Sequence, residues 1–154
     1  MRNKTNLVLG IIIALAAIVG VFVLFAPGFG SVDDYGSTRG SGFEILFGAQ
    51  RRGYVAVGGL IVAFVCLCLG VFSAFVSAFL PGKAAMIGFG ATALLLAAAG
   101  ILFIFAPAMF KLANPAASES AEAITLGAGF ITAMIFSFIG ALLSFYGAYE
   151  TRKA

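Results

Sequence analysis

Four stretches of this chain, about 7–26, 54–80, 84–106 and 124–149, each run for 20 residues or more without one Asp, Glu, Lys, Arg or His. A helix crossing a bilayer needs about 20 predominantly apolar residues, because its length must match the hydrocarbon core. No soluble fold of 154 residues could hide four such stretches. Hydrophobic residues make up 62% of the chain and charged ones 10%, against about 25% charged in a soluble domain. Lipid is therefore the expected solvent for most of the molecule. All nine basic and six acidic side chains fall in the ends and loops.

The first stretch follows Arg2 and Lys4, as a signal peptide would. A signal core runs about 7–15 residues, whereas this one extends from Leu7 to Ala26 and meets Pro27. It reads as a retained span.

The stretches also repeat. Shifted by 80 positions, Gly10, Leu15, Ala17, Gly20, Phe25, Ala26 and Pro27 fall on Gly90, Leu95, Ala97, Gly100, Phe105, Ala106 and Pro107. Gly48-Ala49 matches Gly127-Ala128 at an offset of 79. The expected fold is an all-α integral membrane protein, a four-helix bundle of four transmembrane helices written as two tandem hairpins. Residues 1–154 form one domain, with repeat 1 over about 7–80 and repeat 2 over about 84–149. Two-span repeats share one orientation, so a pseudo-two-fold axis along the membrane normal is expected. Proline fits poorly deep in a helix, so both Phe-Ala-Pro sequences are expected to mark exits from the membrane.

Connections follow from turn chemistry. Leu80-Pro81-Gly82-Lys83 is a tight turn, which makes its flanking spans antiparallel neighbours. Two outer loops remain, about 28–53 and 108–123. Ser41-Gly42-Phe43-Glu44 has the form of a capping box before an apolar run, so a short helical turn is expected there. Asn114-Pro115 is a plausible N-cap and first helical residue, with helix expected over Ala116 to Glu122.

Flanking charge sets orientation. With both termini cytoplasmic in the cell membrane, five basic residues lie inside and four outside; Arg2 and Lys4 before the first span favour that choice.

Several chemistries are disfavoured. Histidine is absent, which removes the commonest general base and metal ligand. Cys66 and Cys68 lie mid-span, two apart, and so point to different helix faces; they read as small apolar filling. No cofactor is implied, and no dense basic run suits nucleic acid. Proton-coupled carriers use a membrane-embedded acid or base, and none stands here. The long first and shorter second outer loop are similar, in architecture alone, to claudin-like four-span proteins; the Trp and paired-Cys loop signature of that family is missing.

Small residues at steps of three and four suggest helix–helix interfaces: Gly59, Ala63 and Gly70; Gly90, Ala97 and Gly100; Ala133, Ser137 and Ala141. Arg51 and Arg52, with Asp33, Asp34 and Glu44, are candidate contacts for lipid headgroups or a partner. The expected function is a non-enzymatic accessory or scaffold subunit of a membrane assembly, contacting membrane lipids and either a membrane-protein partner or further copies of itself. The alternative is a pore or carrier for a neutral or lipidic substrate at the repeat interface. It would draw on Ser73, Ser77, Thr92, Thr132, Ser137 and Ser144.

Overall fold

A computed structural model describes residues 2–31, 39–115 and 124–153. Four long helices dominate it: α1 (Arg2–Phe22), α3 (Gly58–Phe79), α4 (Gly82–Ile104) and α6 (Ala128–Lys153). Each contains a segment long and apolar enough to cross a membrane. At about 1.5 Å per residue, the 22 residues of α3 span a hydrocarbon core of about 30 Å.

The helices pack as a square. Each touches its neighbours in the order α1, α3, α4, α6 and back to α1, and the diagonal pairs barely meet. All four neighbouring pairs are antiparallel: Gly10 lies on Ala78 and Gly20 on Leu67, Gly88 on Ser77 and Gly70 on Leu96, Gly100 on Phe138 and Gly147 on Phe89, and Gly147 on Leu9 and Gly129 on Val23. The start of α1 and the end of α6 therefore sit at one end of the bundle.

Close approach explains much of this packing. Lipid tails offer helices no hydrophobic gain on meeting, so they associate where small residues let backbones come near. Gly70 and Gly140 press from two sides on Leu96, and Gly100 faces the ring of Phe138. Ile13, Leu67, Phe89, Leu96 and Phe103 fill the interior and are fully buried. The opposite faces, with Leu69 and Phe72 on α3, Ile87 and Leu94 on α4, and Leu142 and Phe145 on α6, are exposed, as lipid contact requires.

Buried hydroxyls inside the spans are satisfied locally. Ser137, Ser144 and Thr151 donate to the carbonyls of Ala133, Gly140 and Gly147, one turn back. Thr92 donates towards Gly88 O and Ser73 Oγ, both at 2.9 Å, and Ser77 donates to Ser73 O. Cys66 and Cys68 are free thiols.

The opposite end of the bundle, where α1 connects to α3 and α4 to α6, carries an ordered cap that the all-helical expectation missed. It contains β1 (Pro27–Ser31), β2 (Arg39–Ser41), α2 (Gly42–Phe47), α5 (Ala106–Ala113) and β3 (Ile124–Leu126). The strands form one antiparallel sheet in the order β2-β1-β3. Pro27 pairs with Ser41 and Phe29 with Arg39 on one side; Phe29 pairs with Leu126 and Ser31 with Ile124 on the other. Pro27-Gly28-Phe29-Gly30-Ser31 cannot sustain a helix, with one proline and two glycines in five residues. As the central strand its backbone finds partners on both sides.

Both Phe-Ala-Pro sequences do end a long helix, but they continue differently. After α1 the chain tightens through a 3₁₀ turn at Val23–Phe25, Ala26 turns extended (ψ 165°), and Pro27 starts β1. After α4, Phe105 (φ −85°, ψ 5°) makes a one-residue break and Pro107 lies in the first turn of α5. The expectation that Pro107 leads out into a loop is therefore corrected. A helix's first turn leaves its N–H groups unpaired anyway, so a residue lacking one costs nothing there.

Candidate functional site

The cap brings together the polar and charged groups that the spans lack. Its first anchor is Ser41. Its hydroxyl accepts from Glu44 N (3.2 Å), while Ser41 N donates to Glu44 Oε2 (3.0 Å). The expected capping box is complete, and α2 starts from it. This helix ends at Gly48, whose φ of +83° is a conformation that a side chain disfavours. The chain does not run on into α3. It makes a small hairpin, with Ala49 bridged to Tyr54 across a 3₁₀ turn at Gln50–Arg52. Val57 N then donates to Leu46 O (3.0 Å), and α3 begins.

That hairpin folds Arg52 back over α2. Its Nε lies 3.7 Å from Glu44 Oε2, with both side chains a little under half exposed. An exposed pair of this kind contributes at most about 1 kcal/mol. Its effect is to give one carboxylate two tasks, capping α2 and orienting the arginine. Arg51 is exposed beside it. Of the five candidate contacts, Glu44 and Arg52 are thus brought together, Arg51 is adjacent, and Asp33 and Asp34 lie outside the described residues.

A second anchor escaped the sequence reading. Asn114 is buried at the end of α5, and its amide clasps the backbone of Val55. Oδ1 accepts from Val55 N (2.6 Å) and Nδ2 donates to Val55 O (3.1 Å). The side chain imitates a strand partner, tying the second connection to the segment that leads into α3. In sequence, Asn before Pro signals only a helix start. Here Asn114 is also the C-cap of α5; Pro115 after it is helical, as expected, and the rest of that helix, over 116–122, lies outside the described residues.

The third anchor is aromatic. Phe29 is fully buried, with ring centroids 5.1 Å from Phe110 and 5.3 Å from Phe130. Tyr54 meets Phe110 edge-on at 5.1 Å. This cluster joins β1, α5, α6 and the hairpin. A separate wall of rings faces outward between α1 and α3: Phe25 on Phe43 at 4.4 Å, with Phe43 and Phe47 on Phe64 at 5.5 and 5.7 Å.

The small residues proposed for interfaces take several environments. Ala63, Gly70, Gly100, Ala133, Ser137 and Ala141 are buried in the bundle. Gly59 is half-buried under Met109. Ala97 is half-buried, and Gly90 faces open space on α4. Of the hydroxyls considered for a carrier, Thr132 is half-buried near the start of α6, and the other five divide between two places. Ser73, Ser77 and Thr92 are spent between α3 and α4, while Ser137 and Ser144 turn back on α6.

No protein family, curated protein or solved structure matches this chain.

Proposed function

We propose that this chain is a non-enzymatic accessory or scaffold subunit of a membrane assembly. Four membrane-length helices make it a multi-pass membrane-like bundle; the role is our reading. One observation carries it. Among the described residues, charged side chains are confined to the bundle ends, while the buried hydroxyls of Ser77, Thr92, Ser137, Ser144 and Thr151 are consumed by local hydrogen bonds. A bundle filled in this way has surfaces to offer and no described interior chemistry. In this reading the termini face the cytoplasm, by the charge flanking α1, and the cap faces out. The two hairpins are descendants of one duplicated unit.

Photo-crosslinking in native membranes, followed by mild-detergent purification, tests the role. A discrete crosslinked species containing a second membrane protein or a second copy is expected. A chain that stays uncrosslinked and monomeric at every probe position on the cap and outer helix faces would sink the reading. Orientation is tested separately. A Lys111→Cys variant should react with a membrane-impermeant maleimide in intact cells; protection until lysis would reverse the topology.

A further inference from the structure

Between the aromatic wall and the Glu44–Arg52 pair lies an open cleft of about 180 Å³, lined by Phe25, Pro27, Gly40, Ser41, Glu44 and Arg52. At about 30 Å³ per water, it has room for a group the size of a phosphate ester. Its depth in the membrane can be read from α2. Phe43 and Phe47 pack on Phe64, six residues and so about 9 Å into α3. The cleft therefore sits where hydrocarbon gives way to headgroups. Below it, Phe22 and Phe25 are about two-thirds exposed and Phe47 half exposed, an apolar track facing lipid.

Charge and donor geometry select the occupant. The Arg52 guanidinium and the Glu44 carboxylate line the cleft, and exposed Arg51, next to Arg52 in the same turn, adds a second positive charge to this end of the bundle. Arg52 meets Glu44 only through Nε and only at 3.7 Å, longer than a hydrogen bond, so its terminal N–H groups have no partner among the described residues. A planar fork of such donors matches phosphate oxygens. We propose that this cleft seats the phosphate of an anionic phospholipid on Arg52 and Arg51, with the acyl chains running down the ring wall of Phe25, Phe22 and Phe47. Glu44, 3.7 Å from Arg52 Nε, opposes anions with its own charge and keeps the site from becoming a general anion trap. The site requires only that the bundle be membrane-embedded, not that it serve as an accessory subunit.

Native mass spectrometry of the full chain released from nanodiscs tests this, comparing phosphatidylglycerol with phosphatidylcholine. A retained phosphatidylglycerol adduct is expected on the wild type. A basic residue near a lipid surface contributes about 1 kcal/mol, or about fivefold in affinity, so Arg51→Gln/Arg52→Gln should weaken retention by about 25-fold. Lys83→Gln, at the opposite end of the bundle, measures the non-specific loss. Glu44→Gln preserves the capping box, which accepts Gln, and should retain as much lipid or more. Arg52→Lys, which keeps charge but loses the fork, should be intermediate and serves if the double variant misfolds. Equal retention of phosphatidylcholine, a double variant no weaker than Lys83→Gln, or Arg52→Lys indistinguishable from wild type would overturn the proposal. So would a Glu44→Gln loss as large as that of the arginines, because it would assign binding to a cationic group instead.

Discussion

Phe25-Ala26-Pro27 and Phe105-Ala106-Pro107 are the same three residues at the ends of two membrane-length helices, yet the first leads into a strand and the second into a helix. The difference lies downstream. Gly28-Phe29-Gly30-Ser31 succeeds the first, and Ala108-Met109-Phe110-Lys111 the second. Two glycines make helix expensive by about 1 kcal/mol each, while Ala, Met and Lys favour it. The same tripeptide therefore stops a helix in both places, and its downstream neighbours select strand or helix for the next element. Phe29 and Met109 stand at corresponding positions, and their environments are unalike. Phe29 is fully buried among rings, whereas Met109 is half-buried over Gly59.

That asymmetry can be broken by substitution. Phe29→Ala should cost most, about 3–5 kcal/mol, as for a buried aromatic. Met109→Ala should cost clearly less, and equal losses in a detergent-denaturation series would remove the distinction. Gly127→Ala comes next. A Cβ there would lie 2.6 Å from Pro27 O and 2.8 Å from Gly28 C, both backbone atoms that cannot swing aside. A loss of about 1–3 kcal/mol is expected, with β1 parting from β3 as reported by amide exchange at Gly30 and Thr125.

Asn114→Ala removes the clasp on Val55. Buried groups left unpaired cost about 1–3 kcal/mol, and the exposure of Val55 places this one near the lower bound. Thermal melting should detect it, and proteolysis should quicken in the segment before α3. No change in either would make the clasp incidental. The smallest effect belongs to Pro107→Ala, within about 0.5 kcal/mol, because a helix's first turn needs no N–H from that position. A large loss there would show that Pro107 ends its helix as Pro27 does.

The spans were legible because the bilayer imposes one rule on every residue within them, and charge-free runs of 20 or more residues satisfy it only as helices. Ser41 and Glu44 were legible because a capping box is a local bond between residues three apart. The sheet was not, since β2 and β3 are three residues each and carry too few side chains for a period of two to emerge. The clasp made by Asn114 was not legible because its partner, Val55, is 59 positions away.

The sequence by itself determined that four membrane-length helices form and that the turn at Pro81-Gly82 sets two of them side by side. Those outcomes arise from hydropathy, proline and glycine acting within a few residues. Only the tertiary structure decided that β1 lies between strands from both connections, that Arg52 folds over Glu44 beside a ring wall, and that Asn114 fastens one half to the other. These contacts pair groups far apart in the chain. They form where the antiparallel bundle brings its connected ends together, and no pattern along the sequence encodes that meeting.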